Sequence, residues 1–155
     1  MKGVEIREVR AGDVPAVIEL VAATLREFGL EFGVGAPTDE QLHHLPGSYA
    51  EHGGAFWIAR EGDAIVGTAG VFPVTDGTFE LRKMYLRPET RGTGIGKRLL
   101  DTAIAWSREH GGRWLVLDTV EAMSRAIAFY ERHGFVRDDA QRRGSRCSRG
   151  YALPL

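Results

Sequence analysis

The segment Arg91-Gly92-Thr93-Gly94-Ile95-Gly96-Lys97 carries the residue types and spacing that point most directly to chemistry. Its three glycines run into a stretch in which Ile95, Leu99, Ala103 and Trp106 recur at helical spacing. A glycine-rich turn feeding a helix leaves the first N–H groups of that helix without intrahelical partners, and the macrodipole adds partial positive charge there. Such a turn suits a phosphate. Glycine lets the backbone approach closely or adopt φ > 0, and Arg91 and Lys97 bring full charges. The spacing excludes two common phosphate loops. A P-loop needs glycine where Arg91 stands and Ser or Thr where Arg98 stands. A dinucleotide fingerprint needs glycine at Lys97 and a parallel unit before it. Taken alone, the loop is equally well read as a flexible surface turn.

The flanking elements narrow that choice. Residues 2–9 alternate and read as a strand. Asp13 is placed to cap a helix with Pro15 in its first turn; Val14, Ile18, Val21, Leu25 and Phe28 form one face, and Gly29 ends it. Residues 29–53 lack clear periodicity apart from a short polar stretch, Asp39 to His44, with helical character. Ala55–Arg60, Ile65–Val74 and Phe79–Leu86 then read as an antiparallel meander, with turns at Glu61-Gly62-Asp63 and Thr75-Asp76-Gly77. The glycine loop and its helix follow. Trp114 to Leu117, apolar throughout, reads as a strand buried on both faces. A helix over 122–133 has Met123, Ile127 and Tyr130 in phase and stops at Gly134. Phe135–Val136 and Cys147–Leu153 read as short strands around an arginine-rich loop.

Two stretches resemble a known family. Glu80-Leu81-Arg82-Lys83-Met84-Tyr85-Leu86-Arg87-Pro88 leading into Arg91-x-x-Gly94-x-Gly96 is similar to motif A of the GNAT superfamily of N-acetyltransferases. Ala126-x-x-x-Tyr130-x-x-x-Gly134-Phe135 resembles its motif B. The element order over residues 3–153 fits as well, so the resemblance covers nearly the whole chain. It implies an α/β fold: one domain over residues 1–155, with a mixed, mostly antiparallel central sheet and helices on both faces, the acyl-CoA N-acyltransferase fold. One departure is Met123, which stands where many members carry Asn; Ser124 is the neighbour that could replace its hydrogen bond.

The resemblance further implies acetyl-CoA as co-substrate, held in a splay between the fourth and fifth strands, and no metal. Gly92, Thr93, Gly94, Ile95, Gly96 and Lys97, with Arg91, would hold the pyrophosphate. The backbone of Met84, Tyr85 and Leu86 would pair with the pantetheine arm, with Ser124 and Ala126 beside it. The reaction would be direct acetyl transfer to an amine. An alkyl amine with a pKa near 10.4 is about 0.04% neutral at pH 7, and making it neutral costs about 4.6 kcal/mol. A base is therefore needed, and Glu80 is the expected one, directly or through water. Asp39, Glu40, Glu31, His43 and His44 are further candidates. Tyr130, at the motif B tyrosine, is the expected general acid for the leaving thiolate. Against these stand plainer readings: Tyr130 as a core aromatic, and Glu80 in a salt bridge to Arg82 or Lys83.

The acceptor side is expected from residues 29–50, the turn at 75–78 and the loop at 137–149. That loop holds Arg137, Arg142, Arg143, Arg146 and Arg149, which suit either a solvated loop or a site for a carboxylate- or phosphate-bearing amine. The expected acceptor is a small amine, amino-acid-like if the loop borders the site. The chain's 155 residues carry 20 Lys plus Arg against 21 Asp plus Glu, a net charge of -1, which argues against a nucleic-acid partner. A single cysteine, Cys147, permits no intrachain disulfide. The first residues alternate in charge instead of forming a secretory signal. The longest near-apolar run, Ala64 to Val74, falls short of the ~20 residues of a membrane span. A cytoplasmic protein without a membrane partner is expected. Members of the family are often dimers, so a homodimer is compatible with the resemblance. A catalytically weak acyl-CoA-binding module is the alternative to an active transferase.

Overall fold

The computed structural model describes residues 3–34, 37–144 and 146–155. Lys2, where the first strand was expected to begin, lies outside them. The strands are β1 (Val4–Glu8), β2 (Ala55–Glu61), β3 (Ala64–Thr75), β4 (Thr78–Leu86), β5 (Trp114–Thr119), β6 (Val136–Arg137) and β7 (Arg149–Pro154). The α-helices are α1 (Val14–Glu27), α2 (Gly47–Ala50), α3 (Ile95–Glu109) and α4 (Ser124–Arg132), and Pro37–His44 forms a 3-10 helix. The strands make one sheet in the order β1-β2-β3-β4-β5-β7-β6. Every pairing is antiparallel except β4 with β5, where α3 supplies the crossover a parallel pair requires. No helix among the described residues is long and apolar enough to cross a membrane.

Two apolar cores cover the two faces. On one, Ile95, Leu99 and Ala103 of α3 and Ile127 and Tyr130 of α4 pack against Leu81, Leu115 and Leu117. On the other, Val17, Leu20, Val21 and Leu25 of α1 pack with Leu42, Tyr49, Phe56 and Ile58. The mixed sheet with helices on both faces is as expected, and details differ. The buried face of α1 is rotated from the anticipated one, with Val17, Leu20 and Thr24 inside while Val14 and Ile18 are only partly buried. Asp13 does not cap α1 with its side chain; its carboxylate accepts from the Arg10 N–H and from the Arg7 guanidinium at 2.8 Å. Trp114 of β5 is 46% exposed, so burial on both faces applies only to Leu115–Leu117.

Two irregularities in β4 decide what the fold can do. First, β4 pairs with β5 only over Thr78–Glu80 against Trp114–Val116, after which the strands diverge. The edge of β4 from Leu81 to Leu86 is left without a strand on that side. Second, the register with β3 slips: Arg82 opposes Gly70 but Tyr85 opposes Thr68, so Lys83 and Met84 together face Ala69. Lys83 takes the left-handed conformation, φ 53°, and its carbonyl accepts the Thr68 hydroxyl at 2.7 Å. A bulge of this kind re-aims the residues after it. Leu81, Met84 and Leu86 pack toward α3, while Arg82, Lys83 and Tyr85 turn to the α1 side.

Candidate active site

The divergence of β4 from β5 opens into a cleft of about 890 Å³. Its floor is the unpaired half of β4, residues 81–86; one wall is the glycine loop, and the other is the start of α4. The loop is built as its sequence suggests. Gly94 takes the N-cap position of α3 with φ 90°, a conformation that costs a residue with a side chain. A Cβ on Gly96 would lie 3.2 Å from the Leu86 side chain, so glycine sets how closely α3 sits on β4. Among the described residues, no backbone N–H from Gly92 to Lys97 donates to a loop, cap or side-chain acceptor. The row of free donors is therefore present.

The expected charges beside that row are largely spent. Arg91 forms two bonds to the Glu27 carboxylate and one to the Leu86 carbonyl. Its hydrogen bond to Glu27 is the main influence holding that carboxyl below its usual range. Lys97 pairs with Asp101 at 2.7 Å. Arg125 and Arg132 of α4 also line the cleft, and neither makes an ion pair among the described residues; Arg125 is the one beside the loop, its Nη2 3.9 Å from where a Cβ on Gly92 would lie. Nothing in its local sequence marked it, because the approach of α4 to the loop is a tertiary fact. Met84, Tyr85, Leu86, Gly92, Gly94, Gly96, Ser124 and Ala126 line the cleft. Thr93 and Ile95 do not: the Thr93 hydroxyl bonds the Thr90 carbonyl, and Ile95 is in the core. Met123 is buried at the N-cap of α4, while Ser124 is exposed beside it.

Tyr130 and Glu80 both line this cleft. The Tyr130 ring is also a core member, edge-on to Phe135 at 5.5 Å. Its hydroxyl makes no hydrogen bond among the described residues, and burial, with Tyr85 nearby as a smaller influence, raises its pKa. Burial pushes Tyr85 up to about 12. Glu80 sits at the fork, paired with Val116 as the last residue in register with β5. It is 4% exposed. Arg82 bonds one of its oxygens through Nε, and Arg143 reaches the other at 3.4 Å. The anticipated salt bridge to Arg82 and the anticipated place in the cleft thus hold together.

Asp39 is the second buried carboxylate. It accepts from Lys83 Nζ, from both Nη atoms of Arg146 at 3.2 Å and from the Gly33 N–H at 2.7 Å. Burial works against its charge, but Lys83, Gly33 and Arg146 outweigh it, so its pKa is lowered. It ties three separate segments together and does not itself line the cleft. Glu31, Glu40, His43 and His44 lie outside the cleft too. Of the arginine-rich loop, only Arg143 and Arg146 reach it. Arg137 pairs with Asp139, Arg149 with Glu121, and Arg142 is exposed. The turn at 75–78 is also outside, whereas Leu30, Pro37 and Thr38 contribute from the irregular segment.

Comparison with known proteins gives concordant results. Residues 19–135 match the family model described as the acetyltransferase (GNAT) family. The chain is 33% identical over 134 residues to an uncharacterized N-acetyltransferase, YjgM, of Escherichia coli K12, covering 84% of this chain and 80% of that protein. Its fold matches the crystal structure of an acetyltransferase of the GNAT family from Staphylococcus aureus Mu50 with a TM-score of 0.89, at 26% identity over 99% of each chain. A PaiA N-acetyltransferase from Thermoplasma acidophilum, solved in complex with coenzyme A, shares the fold with a TM-score of 0.79 at 20% identity over 99% of each chain.

Proposed function

The chain belongs to the GNAT family of acetyltransferases, and from that premise we propose that it transfers an acetyl group from acetyl-CoA directly to a primary amine of a small molecule or protein. One observation carries the reading. A single cleft joins the unbonded N–H row at the start of α3, the unpaired edge of β4 and the hydroxyl of Tyr130.

The residues present fit acetyl-CoA. The N–H groups of Gly92 to Lys97, with Arg125 beside them, suit a pyrophosphate. Charge-assisted bonds of about 1.5–3 kcal/mol each give micromolar affinity from a handful of contacts. The free edge of Met84 to Leu86 suits an amide-bearing arm added as an extra strand. Bound there, acetyl-CoA supplies the thioester carbonyl that the amine attacks. A backbone N–H near Met84 or Tyr85 is the donor for that carbonyl oxygen.

Glu80, directly or through one water, accepts the proton that makes the amine neutral. Tyr130 gives its proton to the sulfur as the N–C bond forms and the C–S bond breaks, and it regains one from the amine. Because burial raises Tyr130, its hydroxyl acts first as a hydrogen-bond donor to sulfur, and its proton moves only as negative charge builds there. A CoA-binding module without turnover is favoured by one observation, that both Glu80 oxygens are already held by arginines. Thiol release from acetyl-CoA across a panel of amines separates the two. Release that depends on an amine supports the transferase, and binding of acetyl-CoA without release supports the module.

A further inference from the structure

Glu80 and Arg143 make an ion pair at the cleft whose two halves are held in place independently of each other. Arg82 anchors Glu80 from the protein side, itself stacked 4.2 Å over the Phe72 ring and bonded to Gln41 at 3.1 Å. Arg143 is anchored by its neighbour Gln141, whose carbonyl and side-chain oxygens accept from Nη1 and Nη2 at 2.9 and 3.0 Å. Its backbone N–H donates to Asp118 at 2.6 Å. The contact between Glu80 and Arg143 is the long one, 3.4 Å, and the Arg143 side chain is 36% exposed. A molecule entering the cleft can exchange that contact without dismantling either support.

We infer that Glu80 and Arg143 form a seat for the amine and carboxylate of a free α-amino acid, the amine on Glu80 and the carboxylate on the Arg143 guanidinium. This rests on the transferase reading above. Glu80 Oε2 and Arg143 Nη1 are neighbours, 3.4 Å apart before a ligand enters, and each is held by its own support, so an acceptor that takes both partners needs its two charges close together. In an α-amino acid the nitrogen and a carboxylate oxygen are about 3 Å apart, fixed by the covalent geometry at Cα. An amine several methylenes from its carboxylate reaches both groups only by curling. A peptide N-terminus has no carboxylate there.

The charge balance agrees. Glu80 has two cationic partners, Arg82 and Arg143, and Asp39 has two, Lys83 and Arg146. Asp118 turns one oxygen to the backbone N–H groups of Arg143 and Gly144. With Asp118 counted, four cations to three carboxylates leave a positive excess of one, which accepts an anion, disfavours a bare polycation and lowers the cost of neutralising the bound amine.

The test compares thiol release with a free α-amino acid, its carboxamide, 6-aminohexanoate and spermidine, in the parent and in Arg143→Gln. The expected result is a kcat/KM for the amino acid at least tenfold above its amide in the parent, with the ω-amino acid and spermidine below both. In Arg143→Gln the ratio of amino acid to amide should fall to about threefold or less. A parent ratio near one, or a ratio that survives Arg143→Gln, overturns the seat while acetyl transfer itself stands. Equal use of 6-aminohexanoate overturns the spacing. Release with no amine at all overturns the transferase reading beneath it.

Discussion

Arg91, at the head of the glycine loop, and Glu27, at the end of α1, are joined by two parallel bonds of 2.6 and 2.8 Å. The pair cancels the charge that the loop's own sequence advertises and fastens the loop to the first helix. Arg125 is the unpaired cleft cation nearest the loop, and the proposed phosphate contact falls to it. Arg125→Gln should weaken acetyl-CoA binding roughly threefold to tenfold, the size of one exposed charge contact. Glu27→Gln should leave that affinity undiminished and cost about 1 kcal/mol or less of stability. Titration calorimetry and urea unfolding read the two effects; equal affinities for Arg125→Gln and the parent would remove Arg125 from the site.

Gly94 holds φ 90° at the N-cap of α3. Gly94→Asp puts a carboxylate among N–H groups meant for an anion. Acetyl-CoA affinity should drop by about an order of magnitude or more, because a like charge replaces a donor surface. A Cβ at this position meets no atom within 4 Å, so the substitution costs only the strain of a side chain at φ 90°, about 1 kcal/mol, and the fold should persist. Unchanged binding by calorimetry would move the phosphate site elsewhere.

Tyr130→Phe keeps the ring against Phe135 and removes only the hydroxyl. Turnover should fall by about 10²–10⁴, the usual contribution of a positioned acid, with acetyl-CoA affinity and stability nearly unchanged. The pH profile carries a second test. The acid form is the working one, and burial raises its pKa above the ordinary tyrosine value. The form is then retained throughout the neutral range and lost only at higher pH than an exposed tyrosine would allow. A profile that begins to decline between pH 8 and 9 through a group removed by Tyr130→Phe contradicts this assignment.

Asp39→Asn leaves Lys83 and Arg146 with no full charge to answer them, in a place where Lys83 is 8% exposed. Breaking a buried pair by removing one partner costs about 3–5 kcal/mol, which denaturant unfolding would read. The pH dependence has a definite sign. A carboxyl whose folded pKa is depressed contributes its stability above the unfolded value, and loses it as pH falls through the folded one. Acid sensitivity below about pH 4 should therefore be stronger in the parent than in Asp39→Asn. Matching acid transitions would show that other carboxylates control the low-pH limb.

The strands, the three long helices and the glycine loop were legible because each is a local pattern: alternation, helical spacing, or glycine at a helix start. The bulge at Lys83 was not. Its only trace is the adjacent pair Arg82-Lys83, polar at two successive positions where the alternation running from Thr78 to Arg82 breaks off. Asp39 belongs to a polar stretch that reads as solvated surface, and its burial depends on partners 44 and 107 positions away. The arginine-rich loop looked like one cluster, yet side-chain direction sends Arg143 and Arg146 into the cleft and the others to local acids or solvent. Composition has no access to direction.

The brevity of the β4–β5 ladder also bears on cohesion. Among the described residues, three ladder pairs and the bonds from the Arg113 and Trp114 N–H groups to the Gly77 carbonyl stitch the β1–β4 half to the β5-β7-β6 half through the backbone, all at one end of the seam, and the apolar cluster of α3 and α4 packs against strands of both halves. A molecule lodged in the gap bridges both halves and binds only when they are assembled. It would thereby raise the melting temperature by mass action, with a gain of about 2.7 kcal/mol at a hundredfold excess over its dissociation constant. Amide exchange along residues 81–86 and 117–119 should slow in step, making the seam between the halves the reporter of occupancy.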